Sequence, residues 1–281
     1  MNNIQEKLEE ILDAEFIDEF INLVNVELPP VRKPQYTTQY YLYNILLALT
    51  DLQKWSSLHL LHTKNTKYHF KTIQNKHLEW SKKHLYEKTY KIINQKYHLN
   101  NLKKSANLVV FIDSSNIYNK IGSSKTGYGQ NPKKKESRIS AICDEHMNVH
   151  SMTLIKTIKK TEIKNTFPHD SRTIESSLTD LFKSEIKCRS LKVVGDKGYA
   201  LKITEKQRIN QKFNTEIIYP HKRNQKEKTP IKHKKYLKKR YVVENLFAKL
   251  KKYGRICMRK DRLECTYMGF LYLAVMINFK K

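Results

Sequence analysis

Two short apolar runs, each followed directly by an aspartate, constrain the fold most strongly. Residues 108–112 lead into Asp113, and residues 191–195 lead into Asp196. Apolar runs of this length, bounded by polar turns, are typical of buried β-strands. The sequence therefore predicts two acidic side chains at the ends of two strands in a buried sheet.

Further elements follow in an order that defines the fold class. They are a strand at 108–112, a hairpin of strands 138–143 and 149–155, a helix from His169 and Asp170 through Phe182, a strand at 191–195, a helix at 202–211, a strand at 216–220, a basic loop at 221–239 and a final helix. This order predicts an α/β fold with a mixed sheet flanked by helices. Asp170 or Ser171 is expected to cap its helix, and for Asp170 that role is favoured over a metal ligand.

The final helix, at 239–253, carries a second stripe beside its buried face. The buried face is predicted from apolar residues at helical spacing, which are Val243, Leu246, Phe247 and Leu250. The neighbouring face of the helix carries Arg240, Glu244 and Lys251. Taken alone, this stripe is a solvated face with a salt bridge between Arg240 and Glu244. Together with Asp113 and Asp196, however, Glu244 completes a set of three carboxylates suited to a divalent metal site.

Net charge indicates a polyanionic partner. The chain carries a formal charge of +27, from 54 Lys and Arg against 27 Asp and Glu. Residues 1–30 have a net charge of −7, whereas residues 220–262 have a net charge of +14. Nucleic acid is the commonest partner of so basic a chain.

Pattern and charge divide the chain into three expected regions. Residues 1–30 are an acidic amphipathic helix, a packed element in preference to an interaction arm. Residues 31–105 form a basic helical domain, which is either a DNA-binding module or a scaffold with solvated lysines. Residues 106–281 form the sheet-containing domain.

Cysteine spacing and hydropathy exclude other classes. The four cysteines contain no Cys-x-x-Cys pair, which argues against a zinc knuckle or a disulfide framework. The acidic start does not resemble a signal peptide, and the apolar run at 267–279 is too short to span a bilayer. We expect a soluble, intracellular protein with no membrane partner.

Three features together resemble the DDE transposases of bacterial insertion sequences. They are the order of elements, the acids Asp113 and Asp196, the latter within Gly-Asp-Lys-Gly-Tyr, and the pattern Arg240-x3-Glu244-x6-Lys251. The resemblance covers residues from about 105 to 275, and the loop at 167–170 is also similar. The family signature has a tyrosine three residues before the arginine, where this chain has Leu237. The resemblance implies an RNase H-like catalytic domain, preceded here by a small all-helical N-terminal domain.

The resemblance also implies a chemistry for these residues. Two Mg²⁺ or Mn²⁺ ions about 4 Å apart would serve phosphodiester cleavage and strand transfer, with Asp113 bridging both ions and Asp196 and Glu244 each holding one. Double-stranded DNA, as element ends and target, is the implied partner, bound by a homodimer or larger assembly. The residues expected to contact its backbone are Arg240, Lys251, Lys222, Arg223, Lys238 and Lys239.

Two other functions stay open from the sequence. A domesticated transposase would keep the fold for DNA binding and lose catalysis, although its usual mark, a missing acid, is absent here. A DDE nuclease that cuts without joining is the other. A DNA-associated protein of a bacterial cytoplasm is expected, or of a nucleus or viral factory in a eukaryotic or viral host.

Overall fold

The computed structural model describes residues 2–30, 32, 35–50, 55–61, 70–101, 107–122, 124–128, 134–159, 165–183, 190–221 and 229–279. The chain divides into two compact units. The first comprises Met1–Asn100, Lys120–Ser124 and Leu250–Lys281, and the second comprises Asn101–Asn119 and Lys125–Lys249. This division places the last 32 residues with the N-terminal helices, whereas the sequence assigned them to the sheet-containing domain. The functional domain boundaries stay a prediction.

Helices and strands follow one another along the chain in the mixed order of an α/β fold. The helices are α1 (Asn2–Glu9), α2 (Ala14–Glu27), α3 (Thr38–Thr50), α4 (Phe70–Lys82), α5 (Leu85–Asn101), α6 (Ile174–Phe182), α7 (Ile203–Phe213), α8 (Ile231–Lys238), α9 (Tyr241–Leu250), α10 (Gly254–Cys257) and α11 (Glu264–Asn278). The strands are β1 (Asn107–Asn119), β2 (Gly127–Tyr128), β3 (Lys135–Cys143), β4 (Val149–Leu154), β5 (Ile158–Lys159), β6 (Asn165–Thr166), β7 (Ser190–Val194), β8 (Thr215–Ile218) and β9 (Met258–Arg259). Short 3₁₀ turns lie at Trp55–Leu61, Asp170–Arg172 and Lys197–Tyr199.

A mixed sheet forms the centre of the second unit. Its order is β5-β6-β2-β3-β1-β7-β8, and β4 pairs with β3. β1 is antiparallel to β3, while β1, β7 and β8 run parallel to one another. Helix α6 precedes β7 and α7 precedes β8, as parallel strands require a crossover between them. The predicted α/β class, with a mixed sheet flanked by helices and helical elements before it, is confirmed.

The core of this unit lies between the sheet and helices α6 and α7. Val110 and Ile112 of β1 alternate towards one face, and Val193 of β7 joins them. Ile174 and Leu178 lie one helical turn apart on α6 and are fully buried against these strands. Burying whole aliphatic side chains of this kind contributes about 1.5–3 kcal/mol each, so this layer fixes the sheet on which the site is built.

The first unit is held by aromatic packing. The ring of Phe20 on α2 lies 5.0 Å from that of Trp80 on α4 and 5.1 Å from that of Tyr86 on α5. Gly269 of α11 approaches α4 so closely that an added Cβ would lie 2.6 Å from Ser81 Oγ. Within the described residues, no helix combines the length and apolar character needed to cross a membrane.

Three local expectations were wrong. The acidic helix at the N-terminus is two helices, because Asp13 accepts a hydrogen bond from the Glu15 N–H and begins α2. The basic loop at 221–239 contains helix α8, which starts after Pro230. Asp170 does not cap a helix with its side chain, since His169 caps the 3₁₀ turn and Thr173 precedes α6.

Candidate active site

Asp113 and Asp196 are brought level by the pairing of β1 with β7. Phe111 pairs with Val194 in this parallel register, and each aspartate lies two residues further along its own chain. Neighbouring strands are about 4.8 Å apart, so the two acids lie side by side. Asp113 is not at a strand end as predicted, because β1 continues to Asn119 beside β3. Asp113 lies instead within β1, just beyond the level at which the neighbouring strand β7 ends.

The surroundings of Asp113 disfavour the ionised form of its carboxyl group. Burial raises the pKa of Asp113 above its ordinary value, and the neighbouring acids Asp196 and Asp170 raise it further. The Ser114 N–H, which donates to Asp113 Oδ1 at 2.8 Å, and the Arg240 guanidinium both lower it. Several acids thus share one partly desolvated place, an arrangement that favours binding of a cation.

Asp196 is held by the turn that follows β7. Its Oδ1 accepts a hydrogen bond from the Gly198 N–H at 2.7 Å, which caps the 3₁₀ turn Lys197–Tyr199. A Cβ at Gly198 would lie 2.8 Å from Asp196 Oδ1 and 3.1 Å from Asp170 Oδ2. The glycine is therefore needed for close approach, since a larger residue would push the carboxylates aside.

Glu244 enters the site from α9 through its contact with Arg240. Arg240 Nη1 lies 3.4 Å from Asp113 Oδ2, and Nη2 of the same guanidinium donates to Glu244 Oε1. Arg240 immediately precedes α9, so one helical turn separates it from Glu244. Arg240 thus links Asp113 to Glu244, and Asp196 neighbours Asp113; Glu244 is the most exposed residue of the ion-pair network, at 51 %.

Asp170 also lies beside these acids, although the sequence predicts it to cap a helix. Its Oδ1 accepts a hydrogen bond from Ser114 Oγ at 2.8 Å, and Arg138 Nη2 lies 3.0 Å from the same oxygen. The resemblance of the loop at 167–170 to that of the transposases is the one feature of the sequence that points to Asp170 as a site residue. The long-range bond to Ser114 has no counterpart in local sequence pattern.

The donor set is chemically suited to a hard divalent cation. Carboxylate oxygens are the ligands that Mg²⁺ and Mn²⁺ prefer in proteins. In the present arrangement Arg240 is the cation shared by Asp113 and Glu244. Among the residues the structure describes, no three His, Cys, Asp or Glu side chains are grouped closely enough to hold a metal ion. The chemistry of these donors, and not their spacing in this structure, is what suits a divalent cation.

The remaining predicted DNA contacts are distributed along the basic segment. Lys238 is exposed at the end of α8, and Lys239 Nζ lies 2.6 Å from Glu145 Oε2. Lys251 follows α9 directly in the sequence and falls in the first unit. Lys222 and Arg223 lie outside the described residues. Their roles in binding DNA stay predictions.

Comparison with solved structures gives weak likenesses to transposases. The cryo-EM structure of the piggyBac transposase synaptic complex with hairpin DNA is 12 % identical, with a TM-score of 0.34, over 79 % of this chain and 52 % of that one. The catalytic domain of Mos1 mariner transposase is 12 % identical, with a TM-score of 0.27, over 66 % and 92 %. The Mos1 paired-end complex with the left transposon end is 15 % identical, with a TM-score of 0.28, over 99 % and 76 %.

These TM-scores are too low to carry an argument, and the chain spans about half the length of the piggyBac protein. No curated protein matches the chain. A family model does match the chain: residues 104–279 fit the family described as "Transposase DDE domain". This segment covers more than half of the chain and contains Asp113, Asp170, Asp196 and Glu244. The chain belongs to the transposase DDE domain family.

Proposed function

We propose that this protein is a transposase that cleaves DNA at the ends of a mobile element and transfers the strands to target DNA. One observation carries the proposal. The Arg240 guanidinium contacts both Asp113 and Glu244, while the strand register sets Asp196 level with Asp113. Asp113 and Glu244 thus share one cation, and Asp196 lies beside Asp113.

Each of these residues has a role in the proposed reaction. Asp113, Asp196 and Glu244 would hold two Mg²⁺ or Mn²⁺ ions. Bound there, such ions would supply activation of the attacking oxygen and stabilisation of the charge that develops on the leaving oxygen. Glu244 is the ligand best placed to adjust, because its side chain is half exposed, whereas Asp113 is fixed within β1. Arg240 leaves the acids and pairs with a DNA phosphate beside the scissile bond.

DNA is bound through the basic segment that surrounds α8 and α9. Lys238 ends α8 and Lys239 lies between the two helices. Lys222, Arg223 and Lys251 extend the segment in sequence. Such phosphate contacts supply affinity and register but do not read base sequence. A homodimer or larger assembly on double-stranded DNA follows from the need to pair two element ends.

The test is an incubation of the full chain and Mg²⁺ with DNA that carries the inverted repeats flanking its own gene. We expect cut ends and joined products, and loss of both in Asp113→Asn, Asp196→Asn and Glu244→Gln. Asp180→Asn, a surface acid on α6, is the matched control and should keep activity. Cutting without joining would favour a nuclease, and binding without cutting would favour a domesticated DNA-binding protein. An Asp113→Asn protein that cuts at the wild-type rate would refute the assignment.

A further inference from the structure

Asp170 occupies an unusual position beside the acids of the candidate site. It begins the 3₁₀ turn before α6, yet its carboxylate makes long-range contacts. Oδ1 accepts a hydrogen bond from Ser114 Oγ at 2.8 Å, and Arg138 Nη2 lies 3.0 Å from Oδ1 and 3.1 Å from Oδ2. Only about a fifth of each of the Asp170 and Arg138 side chains is exposed, so this ion pair is shielded from water.

Both partners of Asp170 lie on the strands that position Asp113. Ser114 is the next residue after Asp113 on β1, and Arg138 on β3 pairs with Asn116 of β1. The hydrogen bonds of Asp170 therefore hold β1 and β3 at the level where Asp113 points into the site. A shift of β1 by one residue would turn Asp113 to the other face of the sheet, so tethering here fixes the acid.

Asp170 also approaches Asp196. The position of a Cβ on Gly198 lies within about 3 Å of both carboxylates, which places them no more than about 6 Å apart. An additional carboxylate so near a set of acids would repel them unless its charge were balanced. Arg138 supplies that balance, because its guanidinium contacts both oxygens of Asp170.

Helix capping does not explain this carboxylate. The cap of the 3₁₀ turn is the His169 side chain, and Thr173 caps α6 without a side-chain hydrogen bond. The backbone carbonyl of Asp170, in contrast, accepts from the Thr173 N–H and hydroxyl. The side chain is thus committed to Ser114 and Arg138.

We propose that Asp170, paired with Arg138, is a positioning residue that sets both the place and the net charge of the Asp113–Asp196 pair, and thereby its affinity for a divalent cation. The proposal rests on the proposed metal-dependent function. Asp170 itself is not a ligand: it acts through Ser114 and through the charge that it neutralises on Arg138. Removing its charge leaves the cation of Arg138 unbalanced next to the acids.

The test measures Mn²⁺ binding to the full chain without DNA, and electron paramagnetic resonance quantifies the free ion. Asp170→Asn should weaken Mn²⁺ binding about tenfold, as loss of a residue that orients metal ligands usually does. The charge-balanced double variant Asp170→Asn with Arg138→Gln should recover most of that loss. A purely structural role predicts the reverse, since the double variant removes more contacts than the single one.

Two results would overturn the inference: wild-type Mn²⁺ affinity in Asp170→Asn, or no recovery in the double variant. Thermal melts show whether each variant folds. If Asp170→Asn does not fold, Ser114→Ala carries the test, because it removes one hydrogen bond and no charge, and a loss of about threefold is expected. Unchanged affinity in Ser114→Ala would then overturn the inference.

Asp113→Asn separates this inference from the proposed function. If Asp113→Asn abolishes Mn²⁺ binding while Asp170→Asn changes nothing, only the role of Asp170 fails. If Asp113→Asn binds Mn²⁺ like the wild type, the metal site itself is wrong, and the inference fails with it.

Discussion

Arg240 Nη1 lies 3.4 Å from Asp113 Oδ2, although the two residues are 127 positions apart in the chain. The same guanidinium donates to Glu244 Oε1. One arginine therefore links the strand acid to the helix acid and balances part of their charge. Any cation that binds these carboxylates competes with it.

Replacing Arg240 should strengthen metal binding and weaken DNA binding. Arg240→Gln removes a competing cation, and a partly exposed ion pair contributes at most about 1 kcal/mol, so Mn²⁺ affinity should rise roughly fivefold. Binding of double-stranded DNA should fall, because a phosphate contact is lost. Titrations of both ligands measure the two effects. Arg240→Lys keeps the charge and is the control. A loss of Mn²⁺ affinity in Arg240→Gln would mean that Arg240 orients the acids.

Two adjacent lysines should contribute unequally to DNA binding. Lys238 is exposed, whereas the charge of Lys239 is shared with Glu145 at 2.6 Å. Lys238→Gln should reduce the slope of log affinity against log salt concentration by about 1. Lys239→Gln should reduce it less, because Glu145 already offsets that charge. Fluorescence anisotropy at several salt concentrations gives both slopes. An equal or larger effect at position 239 would contradict the expected interface.

Acid should remove the stabilising contribution of Glu175. Hydrogen bonds from Arg208 and Lys212 lower the pKa of Glu175 from its ordinary 4.5 to about 2. Because the pKa is lower in the folded state, the stabilisation is present above pH 4.5 and is lost as pH falls towards about 2. Glu175→Gln should thus lower the melting temperature slightly at pH 7 and converge with the wild type in acid. Melts across this range test it, with Asp180→Asn as a control on the same helix.

Close packing of α11 on α4 should make Gly269 intolerant of a side chain. A Cβ there would lie 2.6 Å from Ser81 Oγ and 3.0 Å from the Tyr86 ring. Gly269→Ala should lower the free energy of unfolding by about 1–3 kcal/mol, the usual cost of overpacking. Adding Ser81→Ala removes the nearest clash and should restore part of the loss. Urea unfolding of the single and double variants gives the coupling free energy between positions 269 and 81. If the effects of the two substitutions on the free energy of unfolding are additive, α11 moves away from α4 instead of clashing with Ser81.

Local pattern predicted most of the elements but not the pairings between them. The strand runs before Asp113 and Asp196 are apolar and bounded by turns, so both acids were identifiable. The continuation of β1 to Asn119 was missed because its polar residues look like a loop, and pairing with β3 overrides that preference. Helix α8 was missed for a similar reason, since a run of lysines suggested an irregular segment. Asp170 was misinterpreted because its partners, Ser114 and Arg138, are remote in sequence.

The parallel pairing of β1 with β7 has a consequence for the order of synthesis. Asp113 has Asp196 as a neighbour only after residue 196 has been synthesised, and Glu244 follows about fifty residues later. Contacts so distant in sequence form late, because chain closure must precede them. A growing polypeptide therefore carries no complete set of these acids until residue 244 has been added.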